Sequence, residues 1–101
     1  MRVIADFSIV PLGVGLSLSR YIAECEKVLR EAGLKTQVHA YGTNIEGEWD
    51  AVVAAVRRCH QVLHDMGVPR ISTVLKLGTL IDRDQTMEEK VRSVSEKLQA
   101  R

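Results

Sequence analysis

An α+β sandwich built on a four-stranded antiparallel sheet is predicted by three features of the sequence. Short runs rich in Val and Ile alternate with helical stripes of apolar residues. A glycine stands where each of the first two stripes runs out, at Gly33 and Gly67. The runs come in the order strand, helix, strand, strand, helix, strand, with one further helix behind them.

The first strand is expected over Val3 to Val10, ended by Pro11 and Gly13. Val3, Ala5, Phe7 and Ile9 share one of its faces; Ile4, Asp6, Ser8 and Val10 share the other. A helix follows from about Leu18 to Ala32, with Ser17 or Ser19 able to cap it and Leu18, Ile22, Cys25, Val28, Leu29 and Ala32 as its stripe. Leu34 to Tyr41 and Asn44 to Glu48 read as a hairpin turning at Gly42. The second helix runs from Trp49 or Asp50 to Met66, and Trp49 heads its apolar stripe, which marks it as a core residue. Arg70 to Leu80 is the fourth strand, with Ser72, Val74, Lys76 and Gly78 on one face. Thr86 and Glu89 have the spacing of a capping box, which opens the last helix with Met87, Val91, Val94 and Leu98 on one side.

Two βαβ crossovers around a hairpin are the plan of the ferredoxin-like βαββαβ sandwich, here with an extra C-terminal helix. Both long helices then cover one face of the sheet. The other face carries Ile4, Val10 and Val74 and is too apolar to stay wet. A second copy's sheet or the last helix is expected to cover it, so a homodimer or homotetramer is expected.

Composition narrows the function. The 101 residues suit a single domain, 1–101, with a modest core. A 46% hydrophobic fraction is too high for a disordered chain. The net charge is +1 with both signs interspersed, so there is no basic stripe for nucleic acid. No apolar run is long enough for a signal peptide or a bilayer span. Cys25 and Cys59 form neither a metal nor a disulfide pattern, and a cytoplasmic setting is expected.

Few residues offer chemistry. His60 and His64 have the i, i+4 spacing of a metal pair, but no third ligand is evident and the plainer reading is a helix edge. Cys59 and His60 are neighbours that point about 100° apart, so they are no nucleophile and base. Gly13-Val14-Gly15 lacks the residues of a nucleotide-binding loop, although an anion could sit at the helix start beside Ser17 and Ser19. Asp6, Ser8 and Lys76 share the non-helical sheet face. They are either an Asp6–Lys76 ion pair inside an interface or the polar part of a ligand site. Glu46 is a second candidate carboxylate. Glu48 and Asp50 near it suit the start of a helix, whereas Glu46 lies farther from that start.

Several segments carry a family resemblance. They are Ala-Asp-Phe-Ser-Ile-Val-Pro-Leu-Gly at 5–13, Ser-Leu-Ser-Arg-Tyr-Ile at 17–22, Gly-Thr-Asn-Ile-Glu-Gly-Glu-Trp-Asp at 42–50, Lys-Leu-Gly at 76–78, and Asp82 with Thr86 to Val91. On these the chain resembles the small thiamine-binding, YkoF-like family. The resemblance implies a ferredoxin-like fold, assembly into dimers or tetramers, and binding of thiamine or its hydroxymethylpyrimidine moiety. Carried over by position, the ligand-binding candidates are Asp6, Ser8, Ser17, Ser19, Thr43, Glu46 and Lys76. Tyr41 or Trp49 would offer a ring face to the thiazolium. The sequence departs from the family pattern at Leu80, where arginine is frequent. No catalytic residue, metal or cofactor is implied, so the expectation is a binding protein and not an enzyme. The alternative is a regulatory or interaction module that acts through homo-oligomerisation without a small ligand.

Overall fold

The computed structural model describes residues 1–100. Its elements are β1 (Arg2–Leu12), α1 (Ser19–Glu31), β2 (Lys35–His39), β3 (Gly42–Glu48), α2 (Trp49–Asp65), β4 (Arg70–Thr79) and α3 (Met87–Gln99). The four strands form one antiparallel sheet in the order β2-β3-β1-β4. This is the ferredoxin-like arrangement, with α3 appended.

Period-two alternation on β1 sends Val3, Ala5, Phe7 and Ile9 into the core, where they meet Ile45 of β3. Leu29 and Cys25 of α1 and Val52, Cys59 and Leu63 of α2 close the core from the helical side. Leu29, Ile45 and Leu63 are fully buried, and each such side chain contributes about 1.5–3 kcal/mol by leaving water. Gly33 and Gly67 both adopt positive φ, as helix-ending glycines do.

The first strand is longer than its sequence pattern indicates. It runs through Pro11 to Leu12 against β4, while its ladder with β3 stops at Phe7. Proline is tolerated where a strand has lost one neighbour, because its missing N–H then breaks no ladder. Neither serine caps α1. The cap position is Leu18, which makes no side-chain cap bond, and Ser19 is already helical. The first turn closes instead through amides of Tyr21 and Ile22 onto the Leu18 carbonyl.

Gly42 lies in β3, not in the turn, which is formed by Ala40 and Tyr41. Its lack of a side chain is needed for close approach, because a Cβ there would overlap the carbonyl oxygen of Phe7. Trp49 is a second departure. At the first position of α2 it is 41% exposed, so it borders the core without filling it.

The capping box at α3 forms as its spacing predicts. The Thr86 hydroxyl accepts from the Glu89 amide, and the Glu89 carboxylate accepts from the Thr86 amide. Only Met87 of this helix is buried; Val91, Val94 and Leu98 remain exposed. The helix therefore leaves part of the open sheet face uncovered, and Val74 stays 66% exposed there. Among the described residues no helix is long and apolar enough to cross a membrane.

Candidate ligand-binding site

The open face of the sheet carries the even-numbered residues of β1, β3 and β4. Strand pairing sets Ile4 beside Glu46 on one side and Gly78 on the other, and sets Asp6 between Asn44 and Lys76. The chain from Leu80 to Thr86 and Lys90 of α3 rise at the edge of this floor. Together they line a half-open cavity of about 490 Å³, within the roughly 300–1,000 Å³ of small-molecule sites.

Glu46 is the unusual group in it. The residue is 5% exposed, flanked by Ile4 on β1 and Lys35 on β2. Its Oε2 is buried and accepts no hydrogen bond. Lys35 Nζ stands 3.6 Å away, an ion-pair distance beyond hydrogen-bond reach. A buried carboxylate oxygen without a donor is costly, and the cost is recovered when a ligand brings a donor.

Asp6 lies on the cavity floor and has partners other than Lys76. Its Oδ1 lies 2.7 Å from Nε2 of His39 and 3.3 Å from Nδ2 of Asn44. His39 reaches across beside Gly42, its register partner on β3. Lys76 is opposite Asp6 in the ladder but is exposed and forms no ion pair among the described residues. The Asp6–Lys76 pair is thus absent from the single chain.

The structure brings Asp6, Glu46 and Lys76 together and leaves the other four candidates outside the cavity. Ser8 shares the open face but pairs with Val74, farther along β1. Thr43 points to the opposite face, since it differs from Glu46 by an odd number of strand positions. It is buried against α1, where its hydroxyl donates to Oε1 of Glu26. Ser17 and Ser19 are exposed beyond the far end of β1. The six residue steps from Asp6 to Leu12 span about 20 Å of strand, which separates those serines from the cavity. Tyr41, 89% exposed, and Trp49 do not line it either.

Arg2, Asn44, Gly78, Arg83, Asp84 and Lys90 line the cavity without having been singled out as ligand contacts. For Asn44 and Gly78 the signal was present, because they share strand parity with Glu46 and Lys76. Arg83, Asp84 and Lys90 had no such signal; they lie in a loop without periodicity and on a helix face that reads as solvated.

His60, His64 and the two cysteines have local partners. His60 sits 2.6 Å from Oγ1 of Thr73, and burial together with the nearby His64 holds its pKa below the ordinary value. His64 Nδ1 sits 2.7 Å from the Val68 carbonyl. No cluster of three or more metal-ligating side chains occurs among the described residues. Cys25 and Cys59 are buried between α1 and α2, and a hydrogen bond with Cys59 together with burial pushes the Cys25 thiol up.

Comparison with known proteins agrees with this fold. A UPF0045 protein of Synechocystis is 60% identical over 94 residues, covering 93% of this chain and 78% of that one. A UPF0045 protein of Eremothecium gossypii is 40% identical, covering 97% and 94%. The crystal structure of a hypothetical protein from Methanocaldococcus jannaschii superposes with a TM-score of 0.87 at 33% identity, covering 94% of this chain and 97% of the other. The family described as thiamine-binding protein matches residues 5–95, nearly the whole sandwich, and to that family of binding proteins this chain belongs.

Proposed function

We propose that the protein binds thiamine or its hydroxymethylpyrimidine moiety reversibly in this cavity and performs no chemistry on it. The observation that carries the proposal is the buried Oε2 of Glu46, which has no donor from the protein. An aminopyrimidine supplies an exocyclic amine that donates to such an oxygen, and a ring cation balances the charge. Asp6 is held ready at the same floor by His39 and Asn44. That the open-face polar residues line a cavity favours ligand binding over a ligand-free interaction module. The family's description supports the choice of ligand. Isothermal titration calorimetry with thiamine and with hydroxymethylpyrimidine tests it. Saturable one-site heats are expected, and their absence for both compounds rejects the proposal.

The working form in this proposal is a cytoplasmic homo-oligomer. Val10 and Val74 on the open face and Val91, Val94 and Leu98 on α3 are exposed in the single chain, and a second copy would remove them from water. Sedimentation velocity at micromolar concentration is expected to show a dimer or tetramer. A stable monomer rejects that part alone.

A further inference from the structure

We infer that the preferred ligand is a phosphate monoester of the pyrimidine compound, not the unphosphorylated form. This rests on the ligand class proposed above and adds a second end to the site.

The charges around the cavity are unevenly used. Four cations line it, Arg2, Lys76, Arg83 and Lys90, against three carboxylates, Asp6, Glu46 and Asp84. Among the described residues Lys76, Arg83 and Lys90 form no ion pair within 4.0 Å, and Arg2 only touches that limit with Glu48. The acids in the first turn of α3 do not neutralise them. Glu88 is bonded to Lys35, and Glu89 closes the capping box. Of the lining carboxylates, Asp6 is already bonded to Asn44 and lies against His39.

Glu46 is on β3 and Lys76 is on β4, with β1 between them and a two-residue offset along the ladder. Strand spacing and rise place their Cα atoms about 12 Å apart. The cavity therefore offers a buried acceptor at Glu46 and, about 12 Å away, the Lys76 ammonium. Arg83 of the loop and Lys90 of α3 line the same cavity. Thiamine itself carries a cation and no anion, so it would leave these donors unanswered and set its thiazolium near like charges. A phosphate ester at the far end of the molecule supplies the anion, and guanidinium and ammonium groups bond its oxygens strongly. The amine end still reaches Glu46.

The test is calorimetry on the full chain with thiamine, thiamine monophosphate and inorganic phosphate. The monophosphate is expected to bind about tenfold or more tighter than thiamine, the gain of a charge-assisted contact. The ratio should fall toward one in the double variant Arg83→Gln, Lys90→Gln and shrink in raised salt. If thiamine binds as tightly as its monophosphate, the inference is overturned while the proposed ligand class stands. If inorganic phosphate binds as tightly as the monophosphate, the cations form a plain anion site and the inference also fails. If neither thiamine compound binds, the ligand class falls and the inference with it.

Discussion

Nζ of Lys35 lies 2.7 Å from Oε2 of Glu88, and this contact ties edge strand β2 to the first turn of α3. The same Nζ is the nearest cation to the buried Glu46 carboxylate, at 3.6 Å. One lysine thus holds the helix that walls the cavity and faces the acid on its floor. The hydrogen bond to Glu88 raises the pKa of Lys35, and the reciprocal bond holds the Glu88 carboxyl below its ordinary value of 4.5.

The pH response of α3 follows from that pair. A carboxylate with a depressed folded pKa adds stability above its ordinary value and loses it as pH falls through the depressed one. Amide exchange across residues 87–91, corrected for intrinsic rates, is expected to be slow at pH 6 and to quicken below about pH 4.5. Lys35→Met should give quick exchange at both pH values. Identical exchange in parent and variant at pH 6 would show that the pair does not hold the helix.

Glu46→Gln is expected to weaken thiamine binding by about one to two decades, the worth of a charge-assisted bond of about 1.5–3 kcal/mol. Its thermal midpoint should be unchanged or higher, because a carboxylate leaves a position only 5% exposed. Calorimetry and a melting curve on the same sample read both. Parent-like affinity would remove Glu46 from the site.

Gly78→Val tests the cavity rather than the charge. A Cβ at Gly78 meets only the Ile4 carbonyl oxygen, at 3.7 Å, an ordinary contact. The backbone there has no positive φ, and valine suits a strand. The fold should survive while a branched side chain stands on the cavity floor. Thiamine affinity is expected to fall by at least about tenfold. A folded variant that binds normally would place the ligand elsewhere.

Gly42→Ala is expected to do the reverse. Its new methyl would press on the Phe7 carbonyl oxygen, where β1 and β3 pair. Forced overpacking of this kind costs roughly 1–3 kcal/mol. The urea midpoint should drop accordingly, and an unchanged midpoint would mean that the strands separate freely.

Strand parity made much of this legible from sequence. Ile4, Asp6, Glu46 and Lys76 alternate with core residues, so their common face follows once the sheet order is known. Glu46 also stood out because helix polarity accounts for its acidic neighbours and not for it. Thr43 was carried into the site by resemblance, although its odd offset from Glu46 sends it to Glu26 on the other side. Ser17 and Ser19 belong to a conspicuous loop, but the length of β1 sets that loop at the wrong end. The wall from Leu80 to Lys90 was hidden for a different reason. It has no periodicity, and its position depends on the Lys35–Glu88 contact, between residues 53 apart in the chain.

Beyond Phe7, β1 has β4 on one side and no strand on the other, yet it continues to Leu12. Such a margin is a template on which a stray chain can extend the sheet and seed aggregates. Pro11 occupies this stretch and presents no N–H for an incoming strand to use. The residue that looks like a strand terminator thus serves as a guard: it lets β1 lengthen along β4 and keeps the sheet from growing into its neighbours.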